Sequence, residues 1–180
     1  MIWDEIKNID GWLGDKQAEL LYKYALKCKG NILELGSFCG KSSVVLAEAA
    51  KKNNKIVICA DLFPTNCFYK EGNKWITDTL VEFNKNIKDY DNIFSLRIDH
   101  NNLRGNLNGK FGLVYVDGDH IAQNIIPDAN YAYYLSDKYV VFHDYGQPVW
   151  SDVKICVDVL INKWGPKNVI IKDEIAIIEK

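Results

Sequence analysis

The chain has 180 residues and a formal net charge of −2, from 22 Lys+Arg against 24 Asp+Glu. Hydrophobic residues make up 48% and charged residues 26%, the composition of a folded domain that buries roughly 70% of its unfolded surface. These figures exclude a disordered tail, a collagen-like fibre and a disulfide knot, and the near-balanced charge argues against nucleic acid as a partner.

Cys28, Cys39, Cys59, Cys67 and Cys156 are scattered, odd in number and without a C-x-x-C pair, which fits a reducing compartment. The opening MIWDEIKNID has neither the basic start nor the apolar core of a signal peptide. No apolar run approaches the length of a membrane span. The expectation is a cytoplasmic protein with no membrane attachment.

Taken in chain order, residues 15–29 carry Leu20, Leu21, Tyr24, Ala25 and Cys28 at helical spacing, and Gly30 and Asn31 end that pattern. Ile32 to Leu35 reads as a short buried strand, Gly36 to Gly40 as a turn, and Lys41 to Lys52 as a helix. A second apolar strand covers 55–63. Pro64 to Asn73 reads as a loop, and its Phe68 and Tyr69 suggest a mobile lid. Ile76, Leu80, Phe83 and Ile87 predict a helix over 74–88. Strands follow at 94–99 and 111–120, the second, FGLVYVDGDH, ending in acids and a His. A helix covers 124–136, with Pro127 near its start, where proline is tolerated.

YVVFHDY at 139–145 is a fifth strand, Asp152 to Trp164 a helix ended by Gly165 and Pro166, and NVIIKDE with IAIIEK a closing hairpin. Continuous apolar runs between helices predict a mostly parallel sheet covered on both faces. Residues 1–180 form one domain, with 1–30 as an N-terminal helical segment within it.

The strongest local signal is Glu34-Leu-Gly36-Ser37-Phe-Cys-Gly40-Lys-Ser42, between the first strand and a helix. Glycine permits a tight turn and a close ligand approach, and the helix start offers free N–H groups. A dinucleotide fingerprint wants G-x-G-x-x-G, but position 38 is Phe. A phosphate-binding P-loop wants a glycine at position 35, which is Leu. Asp61 ends the second strand, where an acid can accept two ribose hydroxyls or simply be solvated. Asp99 ends the third, placed for the adenine end of a ligand or for a helix cap.

Asp117, Asp119, His120, His143 and Asp144 sit at two later strand exits. Asp117 and Asp144 lie side by side if those strands are neighbours, and paired carboxylates repel unless a cation or proton separates them. An oxygen-rich set suits Mg²⁺. Histidine is a residue type suited to general-base work, which makes His120 a candidate. The alternatives are structural: His120 bonding a backbone carbonyl, Asp119 capping the next helix, and His143 packing in the strand. Trp75, Phe68, Tyr69, Tyr131, Tyr133, Tyr134 and Trp150 are candidate linings for an apolar acceptor pocket, or core.

With these motifs in place, ILELGSFCGKSS resembles the glycine turn of class I S-adenosylmethionine-dependent methyltransferases. VYVDGDH with VVFHDY resembles their small O-methyltransferase group, which includes macrocin and cephalosporin-tailoring enzymes and, more distantly, the catechol type. The resemblance covers roughly residues 15–180. It implies a Rossmann-like α/β domain whose seven-stranded sheet runs 3-2-1-4-5-7-6 with the last strand antiparallel.

It further implies that Glu34, Gly36, Ser37, Gly40, Asp61, Asp99 and Asp117 bind S-adenosyl-L-methionine. In metal-dependent relatives the positions of Asp117, Asp144 and Tyr145 ligate a divalent ion such as Mg²⁺; tyrosine is a departure from the usual oxygen donor. His120, with Asp117, is the implied catalytic group. LSDKYVVF also lacks the Pro-Gly-Gly turn common before strand five. The expected function is methyl transfer to a hydroxyl of a small-molecule acceptor, by a chain whose size is compatible with a homodimer. The competing readings are a nicotinamide-dependent oxidoreductase and a non-enzymatic module for adenosine ligands.

Overall fold

The structure is a computed structural model that describes Asp4 and residues 6–180. Residues 1–3 and 5 of the expected N-terminal segment lie outside the described residues. The elements are α1 (Asp15–Lys27), β1 (Ile32–Leu35), α2 (Lys41–Lys51), β2 (Val57–Asp61), β3 (Thr65–Tyr69), β4 (Lys74–Asp78), α3 (Thr79–Asn86) and β5 (Ile93–Arg97). They continue with α4 (His100–Leu103), β6 (Phe111–Val116), α5 (Ala122–Leu135), β7 (Ser136–Phe142), a 3-10 turn (Pro148–Trp150), α6 (Ser151–Trp164), β8 (Asn168–Lys172) and β9 (Ile175–Glu179).

Seven strands form one sheet in the order β5-β2-β1-β6-β7-β9-β8, and β3 with β4 forms a separate hairpin. With that hairpin set aside, the order is the expected 3-2-1-4-5-7-6. β9 runs antiparallel to both β7 and β8, and the remaining pairings are parallel. Strand alternation divides the core in two. Ile32, Val57, Cys59, Leu113 and Tyr115 face the layer of α1, α2 and α3. Leu33, Leu35, Val114, Val116 and Phe142 face the layer of α5 and α6. The closing hairpin turns on Asp173 and Glu174, both at positive φ (50° and 62°), the two-residue geometry that matches strand twist.

Three expectations are corrected. Half of the loop at 64–73 is strand, and the helix expected from residue 74 begins only at Thr79. Ile76 satisfies the helical spacing, but it is buried between exposed Trp75 and Thr77, which is strand alternation. Asp78 decides the boundary: its side chain accepts the Leu80 N–H at 2.9 Å and caps α3. The helix after β6 starts two residues earlier than expected, so Pro127 falls inside α5 and not in its first turn.

The cap gives a test. Asp78→Ala is expected to lower stability by about 1 kcal/mol in thermal or urea denaturation. A helix already running through residue 78 would instead be stabilised, because alanine is the better interior residue.

Candidate active site

The parallel strands β2, β1, β6 and β7 end at one edge of the sheet, and an open cavity of about 1390 Å³ lies there. Gly36, Ser37, Asp61, Asp99, Asp117, His120, His143 and Asp144 line it. Gly36 has φ +90°, and a Cβ there would collide with the Asp117 carbonyl, so only glycine lets the β1 turn pass the end of β6.

Asp61 holds the glycine turn in shape. Its Oδ2 accepts the N–H groups of Ser37 (2.6 Å) and Phe38 (2.9 Å), and its Oδ1 accepts that of Phe63 (2.5 Å). A carboxylate offers about four acceptor sites. Three are taken by the backbone. Phe38 sits at φ +48° and packs against Trp12, with ring centroids 5.0 Å apart.

Glu34 and Gly40, both expected at the donor, do not line the cavity. Glu34 shares the strand face of Ile32, so it points beneath α2 and is fully buried. Its Oε2 accepts the hydroxyls of Ser37 (2.7 Å) and Ser43, while Oε1 has no hydrogen-bond partner. Burial raises its pKa, against the opposing effect of neighbouring serines. No cation faces it among the described salt bridges. Gly40 precedes α2 at φ +91° and packs on Phe83. Asp99 lines the cavity and also caps α4, accepting the Asn101 N–H at 2.6 Å, which lowers its pKa.

Sequence reading missed a buried ion network on the Asp99 side. Asp128 is buried and pairs with both Arg104 and His100 Nδ1, the latter at 2.8 Å. His100 Nε2 faces the Ala60 carbonyl at 3.3 Å. Burial works to discharge this ring, but Asp128 outweighs it and raises the pKa. The ring packs on Gly118, where a Cβ would lie 2.8 Å from Cε1. The adjacent Asp99-His100 pair gave no hint of Asp128, 28 residues away.

On the other side, β6 and β7 are paired neighbours, so Asp117 and His143 emerge together. His143 Nδ1 stands 3.2 Å from Asp117 Oδ1 and 3.2 Å from Asp144 Oδ2, without the alignment of a hydrogen bond to either. Burial alone would discharge His143, but the two carboxylates outweigh it and its pKa is pushed up to about 10. Burial raises Asp144, yet its contacts with His120 and His143 hold it well below the usual carboxylate range.

His120 Nε2 lies 2.7 Å from Asp144 Oδ2, and its ring stacks on Trp150 at 4.3 Å. Tyr115, fully buried, donates to Asp117 Oδ2 at 3.1 Å. Asp119 accepts the N–H groups of His120 and Ile121 and the Asn124 amide; Ile121 is the N-cap of α5 and makes no side-chain cap bond.

A profile of the methyltransferase domain matches residues 33–145, more than half of the chain. The chain belongs to the methyltransferase-domain family. A search of curated proteins finds no match. Among solved structures, this methyltransferase resembles the O-methyltransferase NovP with a TM-score of 0.73 at 17% identity, over 93% of this chain and 80% of NovP. It resembles an O-methyltransferase from Bacillus cereus (0.64, 14% identity, 99% and 90% covered). It also resembles TomG from Streptomyces achromogenes (0.66, 16% identity, 99% and 85% covered). At these identities the likenesses show the fold.

In the methyltransferase, Tyr145 does not serve as the third oxygen of a metal site. It is buried and donates to Asp158 Oδ1 on α6 at 2.5 Å. One ligand atom each from Asp117, His120 and Asp144 lies within 4.8 Å of the others, a grouping able to hold a metal ion. Of the aromatics singled out from sequence, Phe68 and Trp150 line the cavity. Tyr69 packs on Trp12 and Phe38, Tyr131 bonds the Leu103 and Leu107 carbonyls, and Tyr133 stacks on Trp164. Trp75 and Tyr134 are exposed elsewhere. Among the described residues, no helix is long and apolar enough to cross a membrane.

Two measurements test this electrostatic arrangement. Glu34→Gln keeps an acceptor for both serines and is expected to cost under about 1.5 kcal/mol, whereas Glu34→Ala strands both hydroxyls and is expected to cost about 3 kcal/mol by denaturation. For His143, the folded chain holds a proton that the unfolded chain releases between pH 6.5 and about 10. The associated stability is fully present below 6.5 and is lost as pH rises through about 10. His143→Gln is expected to flatten that decline in Tm.

Proposed function

We propose that this methyltransferase transfers a methyl group from S-adenosyl-L-methionine to a hydroxyl oxygen of a small-molecule acceptor. The observation that carries the reading is that the glycine turn with Asp61 and Asp99 opens on the same cavity as His120, His143, Asp117 and Asp144. One surface therefore offers a donor side and an acid–base side. The relatives' names support it: TomG is described in complex with S-adenosylmethionine and the Bacillus cereus enzyme with S-adenosylhomocysteine.

The donor, when bound, supplies an electrophilic methyl group on a sulfonium. The chain supplies alignment, exclusion of water and proton removal. Ser37 and Phe38, held by Asp61, shape the donor's seat. On the acceptor side, the bond from His120 to Asp144 keeps a proton on Nε2 in the neutral ring, leaving the Nδ1 lone pair to accept one from a hydroxyl. Stacking on Trp150 fixes the plane of that ring.

A divalent ion such as Mg²⁺ fits the oxygen-rich donor set of Asp117, Asp144 and His120, and would lower the pKa of an acceptor hydroxyl. His143, with a buried Nδ1 facing both carboxylates, already provides positive charge in the same place.

Calorimetry is expected to show binding of S-adenosyl-L-methionine and not of NADH. Release of S-adenosylhomocysteine, followed with a panel of hydroxylated acceptors, reads turnover without knowing the acceptor beforehand. Asp144→Asn suits the left-handed backbone at φ 56° and should leave donor affinity within about twofold while cutting turnover by roughly 100-fold or more. Binding of NADH alone, or donor binding with no release for any hydroxyl acceptor, would overturn the proposal.

A further inference from the structure

The residue that meets the buried side of His143 lies on α1, far from every motif in the sequence. Gln17 is 8% exposed and touches three separated parts of the chain. Its Oε1 accepts the Gly14 N–H at 2.8 Å and lies 3.2 Å from His143 Nε2. Its Nε2 reaches Glu174 Oε2, at the tip of the β8–β9 hairpin, at 3.4 Å.

These contacts fix the orientation of the amide. Gly14 N–H can only donate, so the amide atom facing it is the oxygen. An oxygen cannot donate to His143, so His143 Nε2 carries a proton. Glu174 is the acceptor that the amide nitrogen requires, and it is itself held by Gln147 Nε2 at 2.5 Å. A histidine ring that turned half a revolution would swap its nitrogens with carbons. It would then withdraw Nδ1 from Asp117 and Asp144.

We propose that Gln17 is a positioning residue for methyl transfer, accepting a hydrogen bond from His143 Nε2 so that the ring keeps Nδ1 turned toward Asp117 and Asp144. The role in turnover rests on the methyltransfer reading above; the ring orientation does not. Gln17 also bonds the N–H of Gly14, the N-cap of α1, which is the half of a capping box that a glycine N-cap allows. One oxygen therefore both starts the N-terminal helix and sets the ring beside the catalytic carboxylates, so docking of α1 completes the site.

The bland alternative is that Gln17 only caps α1. Gln17→Leu removes the oxygen, and adding Gly14→Ser to it restores a helix cap without restoring an acceptor for His143. Three readouts apply to both variants: nitrogen-15 NMR of the histidine rings, assigned with His143→Gln; calorimetry with S-adenosyl-L-methionine; and release of S-adenosylhomocysteine.

The expected result is loss of the His143 Nε2–H pattern in both variants, with donor affinity within about twofold and kcat down roughly 10- to 100-fold. Recovery of turnover by Gly14→Ser, or an unchanged ring pattern in Gln17→Leu, would overturn the positioning role. So would a wild-type His143 whose Nε2 bears no proton. Wild-type protein that fails to bind the donor would remove the methyltransfer reading and leave the ring measurement standing.

Discussion

Two carboxylates at the ends of neighbouring parallel strands repel each other, and the functional edge of this sheet is organised around the positive group that separates them. Asp117 and Asp144 face the same nitrogen of His143, at equal distance, in a place screened from water. In such surroundings a charge is costly unless it is matched. Asp144 stays ionised, His143 stays charged, and Tyr115 stays a phenol that donates to Asp117. The remaining titratable ring, His120, is joined to this cluster only through Asp144, and it faces the cavity.

The donor side solves a different problem with a different kind of acid. There the backbone makes a sharp turn at Gly36 and turns again through Phe38 in the left-handed region. Asp61 bonds the exposed N–H groups of that turn from above. Glu34 bonds serine hydroxyls from below, without a cation, so burial favours its neutral form. The turn is thus clamped between the Asp61 carboxylate at the cavity and the Glu34 carboxyl in the core, where burial disfavours the charged form. The aromatic contacts of Phe38 with Trp12 and Tyr69 then tie the N-terminal segment and the β3–β4 hairpin to the same turn.

Much of this was legible from the chain alone, for identifiable reasons. Apolar runs buried on both faces announced the parallel strands, and the acids that follow them marked the ligand edge. The hairpin at Thr65–Asp78 was not legible, because Ile76 serves a strand alternation and a helical spacing equally well. Glu34 was misplaced because its motif neighbours line a cavity, while strand parity sends its side chain to the opposite layer. Tyr145 followed its neighbour Asp144 in sequence, but its hydroxyl is claimed by Asp158 on α6.

The sequence by itself determined the order of the seven sheet strands and the longer helices between them, the glycine turn, and the strand exits at which Asp61, Asp99, Asp117 and Asp144 emerge. Those features depend on neighbours a few residues apart, whose periodicity and backbone preferences act locally. Only the tertiary structure decided which acid meets which histidine, that Asp128 joins His100 and Arg104, and that Gln17 reaches His143 across 126 positions. Such pairings depend on strand register and helix docking. Register and docking are set by packing of the whole core, so no short stretch of the chain encodes them.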